Sequence, residues 1–161
     1  MNVALRLTDF PIEYTSLLET KNNIITDGVF TKIIFSNNLF VMNGIFFYFP
    51  IDIHNIINSN GRLFVNFDPS SSYNSNIINS ISIIENNILS FYKNSTATKK
   101  NESFILQNQL FSGNIKVYKD SNNSNFHNNF KNKQFILKIS GIWENRSEFG
   151  ITYKIIVANK Y

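Results

Sequence analysis

The chain contains no cysteine. That removes disulfide frameworks, thiolate zinc sites, iron–sulfur clusters and cysteine nucleophiles, and leaves side-chain packing to stabilise the fold. Histidine is nearly as scarce: His54 in "IDIHNII" and His127 in "NFHNNF" have no third ligand at metal spacing and no nucleophile tied to them. The six glycines form neither a phosphate-cradling loop nor a dinucleotide fingerprint. Long apolar runs are missing too, because Asn, Ser and Lys interrupt every hydrophobic stretch, so no membrane partner is expected. The opening "MNVALRLTDFPIEY" lacks the apolar core of a secretory signal, which predicts an intracellular protein, in the cytoplasm or at a viral replication site. The absences together predict a non-enzyme with no catalytic residue, no metal and no cofactor.

What is present is apolar and aromatic. At 161 residues, 43% hydrophobic and 15% aromatic, the chain is too apolar for disorder and has the length of one domain, residues 1–161. Its net charge of +4 is unevenly spread. Residues 1–90 carry a charge of −3 and residues 91–161 a charge of +7. The second part is therefore where an anionic partner is expected to dock.

Periodicity supplies the elements. "GVFTKIIFSNNLFVMNGIFFYFP" predicts strands near 29–36, 39–42 and 45–49, the last two joined by an Asn43-Gly44 turn of the kind in which both central residues take positive φ. "GRLFVNF" adds a strand at 61–67. In "NIINSISIIENNILSFYKN" the apolar Ile77, Ile78, Ile81, Ile84, Ile88, Phe91 and Tyr92 recur at three and four, with Glu85 among the polar positions, which predicts one amphipathic helix capped by Ser72 or Asn76. Strands are expected again near 103–111 and 114–119, then a mobile polar loop at about 120–133, then a final hairpin from "FILKISGIW" and "FGITYKIIVA". Strands, one helix and more strands suggest a mainly β fold of the oligonucleotide/oligosaccharide-binding barrel type, with a β-sandwich carrying an inserted helix as the alternative.

Strand parity assigns faces. It sets Phe135, Leu137, Ile139 and Trp143 on the core side, with Trp143 just before the turn, where a ring can reach a barrel rim. Lys138 lies opposite that face, as Lys154 does in the last strand and Lys116 and Tyr118 in an earlier one. Lysines that track phosphates beside rings that stack on bases form the expected chemistry of a single-strand platform. Arg146 and Phe149 at the hairpin tip join the candidate nucleic-acid contacts, as do Lys131 and Lys133 in the polar loop.

The ending "LKISGIWENRSEFGITYKIIV", through Gly141, Ile142, Trp143, Gly150, Tyr153 and Lys154, resembles the closing strands of small single-stranded-DNA-binding proteins of viral and virus-like linear-plasmid replicons. The resemblance implies a barrel that coats single-stranded DNA, or RNA, during replication or recombination. It also implies replication proteins as further partners, with self-association open. The acidic tail common among such proteins is replaced here by "VANKY". The alternative expectation is a non-enzymatic subunit of a viral or replicon assembly, docking through the apolar "GIFFYFP" segment.

Overall fold

The computed structural model describes residues 3–8, 10–23, 27–119 and 133–159. After a short 3-10 turn (Ile12–Tyr14) come β1 (Thr15–Asn22), β2 (Val29–Ser36), β3 (Val41–Asn43), β4 (Ile45–Phe49), β5 (Asn55–Ser59) and β6 (Arg62–Asn66). Then follow α1 (Ser72–Thr96), β7 (Asn101–Ser103), α2 (Ile105–Phe111), β8 (Asn114–Lys119), β9 (Lys133–Glu144) and β10 (Glu148–Asn159). The fold is mainly β, with 49% strand and 25% helix, as expected. Among the described residues no helix is long and apolar enough to cross a membrane. The expected mobile loop, with His127 and Lys131, lies outside the described residues apart from Lys133, which begins β9.

The β9–β10 hairpin organises the sheet because each of its outer edges is long enough to hold two partners. Residues Gly141–Glu144 of β9 pair with β2, and Phe135–Ile139 pair with β4. On the other side Glu148–Gly150 of β10 run parallel to β7, and Ile155–Val157 run parallel to β8. The main path is β1-β2-β9-β10-β8-β6-β5, one large, mostly antiparallel sheet. It does not close into the expected barrel, nor does it divide into the two sheets of a sandwich: β1 and β5 stand at opposite edges.

One face of this sheet is covered by the helices. Ile78, Ile81, Ile88 and Leu89 of α1 and Leu106 and Leu110 of α2 are fully buried in one cluster with Ile33, Phe47, Leu137, Ile139, Phe149 and Ile155 of the strands. Isoleucine and asparagine are indifferent helix formers, so α1 depends on this burial rather than on propensity. Its cap is Ser71, one residue before the expected position, whose hydroxyl accepts from the Asn74 amide at 3.2 Å.

Three local readings change. The segment expected as a strand at 103–111 is mostly α2: its buried residues, Leu106 and Leu110, lie four apart on one helical face. Glu85, expected on the polar side of α1, is wholly buried, and its carboxylate accepts from the Leu106 and Gln107 amides at 3.1 and 2.8 Å, which caps α2 from a neighbouring element. Asn43-Gly44 is also not a hairpin turn. Only Gly44 has positive φ (95°), and it is the joint at which the chain leaves β2 for β9, with no room for a Cβ beside the Ile139 carbonyl. The paired positive φ values occur instead at Asn60 and Gly61, between β5 and β6.

Candidate nucleic-acid interface

The helix-free face of the sheet takes every second residue of its strands. A bulge decides which residues these are in β9. Gly141 pairs with Thr152 while Ile139 pairs with Tyr153, so Ser140 is an extra residue and the alternation reverses there. Ile142 turns inward and is fully buried. Trp143, expected on the core side, turns outward together with Lys138. Its ring lies against Gly150 on β10, where a Cβ would sit 2.8 Å from Cζ2. The Phe30 ring on β2 lies over Gly141 in the same manner. Both glycines thus leave the space an aromatic ring of the neighbouring strand fills.

Lysines cross this face in a row. Lys138 and Lys154 are direct cross-strand partners. Lys32 of β2 pairs with Gly141, and Lys116 of β8 lies one step before the Val117–Ile155 pair. Strands spaced about 4.8 Å apart bring Lys32, Lys138, Lys154 and Lys116 within roughly 15 Å. No carboxylate among the described residues forms an ion pair with any of the four. The acidic residue at an outward register position on β2, β4, β6, β8, β9 or β10 is Glu148, at the far end beyond Gly150.

The row has electrostatic consequences. Partial burial holds the Lys138 pKa below the ordinary lysine value, and repulsion from Lys154 and Lys32 lowers it further. Its ammonium rests 4.9 Å from the ring centroid of Phe46 on β4, and that of Lys116 lies 4.7 Å from the centroid of Tyr118. Phe64 of β6 is the cross-strand partner of Lys116, and Arg62 shares its face. A row of cations thus crosses neighbouring strands with rings at its flanks.

The structure gathers Lys116, Tyr118, Lys138 and Lys154 from the expected set. Trp143 shares their face about 14 Å further along β9. The other predicted contacts lie elsewhere. Phe149 is fully buried, its ring tilted against that of Tyr92 with centroids 5.3 Å apart, and is a core residue rather than a contact. Arg146 is at the hairpin tip, paired with Asp27 at 2.9 Å. Lys133 follows the parity of Phe135, on the helix side of the sheet. Lys131 lies outside the described residues.

Lys32, Arg62, Phe30, Phe46 and Phe64 were missed because they belong to the acidic first part of the chain. The alternation of "VFTKIIFS", with Thr31, Ile33 and Phe35 buried, is the signal that would have placed Phe30 and Lys32 outward. Among the described residues no cluster of three His, Asp or Glu side chains could hold a metal ion.

Compared with known proteins, the chain matches no family model, no curated protein and no solved structure. The functional reading rests on the face itself.

Proposed function

We propose that this protein binds single-stranded nucleic acid, DNA in replication or recombination before RNA, across the helix-free face of its sheet. The observation that carries the reading is the row Lys32–Lys138–Lys154–Lys116, which forms no ion pair among the described residues and has aromatic side chains on both flanks. Lysines at strand spacing suit a phosphate backbone, and exposed rings attract bases of any identity. The chemistry is binding without bond making, so neither metal nor cofactor enters it. A place in a viral or linear-plasmid replicon and contact with replication proteins rest on the resemblance of the last two strands alone.

The test is titration of a labelled oligo-dT at low salt, where saturable binding is the expected result and its absence ends the proposal.

The second reading, a non-enzymatic subunit of a larger assembly, draws on Leu39 and Val41, exposed 87% and 68% beside the β2–β3 turn. The "GIFFYFP" segment does not serve it, since Ile45, Phe47 and Phe49 are core. A stable complex with a protein partner that ignores DNA would favour this reading.

A further inference from the structure

β10 changes its parallel partner along one edge. Its residues Glu148–Gly150 pair with β7 and Ile155–Val157 with β8, so Ile151–Lys154 are left without strand pairing on that side. The gap opens as a recess of about 200 Å³. Lys116 and Tyr118 line it from β8, Lys154 and Tyr153 from β10, Phe64 from β6 and Gln109 from α2.

This recess differs in kind from the lysine row. A row of cations on a sheet accepts a phosphate chain in any register, whereas a hole in the sheet takes one group of limited size. Its volume lies below the range usual for drug-sized ligands and cofactors, which run from roughly 300 Å³ upward. Its lining joins two cations to three rings, and Tyr118 is 43% exposed. The buried lining residue is the apolar Ile115, and the exposed Gln109 and half-buried Tyr153 add polar groups beside it. The Gln109 amide nitrogen donates to the Asn114 carbonyl at 2.7 Å, which leaves its oxygen as an acceptor. Tyr153 keeps its phenol proton far into the alkaline range, so its hydroxyl is available as a donor at neutral pH.

The geometry points to a subsite for one nucleotide of a bound strand, its unpaired base lodged in the recess against Phe64 and Tyr118 and its phosphate held by Lys116 and Lys154. This rests on the reading of the face as a single-strand platform and adds a fixed point to it: one base is held in a slot while its neighbours lie on the open sheet. The Gln109 oxygen and the Tyr153 hydroxyl offer an acceptor and a donor, a pair that any nucleobase edge can meet, so the slot holds a base without selecting its sequence.

The experiment compares oligo-dT with an abasic chain of equal length, which keeps the phosphates and lacks the bases, on the wild type and on Tyr118→Leu and Lys154→Gln. Loss of one stacking ring is expected to weaken oligo-dT binding by about tenfold in Tyr118→Leu and to leave abasic binding unchanged. Lys154→Gln should weaken both ligands alike. Unchanged thermal unfolding of Tyr118→Leu verifies that its fold is retained. If Tyr118→Leu weakens both ligands equally, or neither, the recess is not a base subsite while the platform reading survives. If neither ligand binds the wild type, both readings fall.

Discussion

Lys138 and Lys154 stand directly opposite each other on adjacent antiparallel strands. Like charges so placed destabilise a sheet by roughly 0.2–1 kcal/mol. Lys32 adds its repulsion from the other side, and no ion pair among the described residues offsets it. A polyanion laid along the row would relieve this repulsion, so under the proposed function the same residues that weaken the isolated fold would strengthen the complex.

Lys154→Gln is therefore expected to act with opposite signs on stability and on binding. Urea unfolding should show a variant as stable as the wild type or more stable, by up to about 1 kcal/mol. Oligonucleotide titrations should show weaker binding, with the slope of log K against log salt reduced by about 0.7. A variant that loses stability and binding together would mean that Lys154 supports the fold instead.

The packing of Trp143 on Gly150 gives an optical test. In Gly150→Ala the new methyl would lie 2.8 Å from the indole Cζ2 and 2.8 Å from the Ser103 carbonyl oxygen. Overpacking of this kind costs typically 1–3 kcal/mol. Because the chain has one tryptophan, displacement of the ring into water should appear as a red shift of its fluorescence. An unshifted spectrum with unchanged stability would contradict the packing of the ring on this strand.

Glu85 caps α2 from inside the core. Glu85→Ala leaves the Leu106 and Gln107 amides without their acceptor, at an expected cost of about 2–4 kcal/mol. Burial raises the Glu85 pKa above 4.5 against the opposing effect of these two hydrogen bonds. The sign follows from linkage: the folded state holds this proton more tightly than the unfolded chain. The contribution is thus fully present below pH 4.5 and is lost as pH rises through the raised value. Glu85→Gln, which does not titrate, should flatten that slope in unfolding measured at a series of pH values.

Tyr153 predicts the alkaline limb. Burial first, then the charge of Glu85 and the neighbouring Tyr118, push its pKa up to about 12. The unfolded chain releases a tyrosine proton near pH 10. Stability from this group is therefore complete below pH 10 and disappears as pH rises toward 12. Tyr153→Phe should unfold less steeply across that interval, and an identical alkaline profile would contradict the burial of the phenol.

Much of this was legible in the sequence where one period ran unbroken. β2, β4 and β8 match the expected ranges, and the last hairpin and the isoleucine stripe of α1 are where alternation and the three-four spacing placed them. β1 and β5 were not among the expected strands, and the other errors came from single residues whose effect depends on distant partners. Ser140 adds one position to β9, which moves Trp143 from the expected core side to the opposite face, and parity counting has no means of seeing an inserted residue. The run at 104–111 is short and apolar at both ends, a pattern that suits strand and helix alike, and the Glu85 cap that favours the helix lies 21 residues away from Leu106. Lys32 and Arg62 were hidden by the net negative charge of the first part of the chain, although the strand register sets them on the face of the later lysines. The recess has no sequence signal, because it arises where two short parallel pairings leave part of β10 uncovered.

The most direct measurement is the salt dependence of oligo-dT binding by the wild type and by the triple variant Lys32→Gln/Lys138→Gln/Lys154→Gln. With about 0.7 of slope for each neutralised phosphate, the row of four lysines predicts a wild-type slope near −3, falling to about −1 in the variant. No binding by the wild type at low salt, or equal slopes for the two proteins, would contradict a nucleic-acid interface on this face.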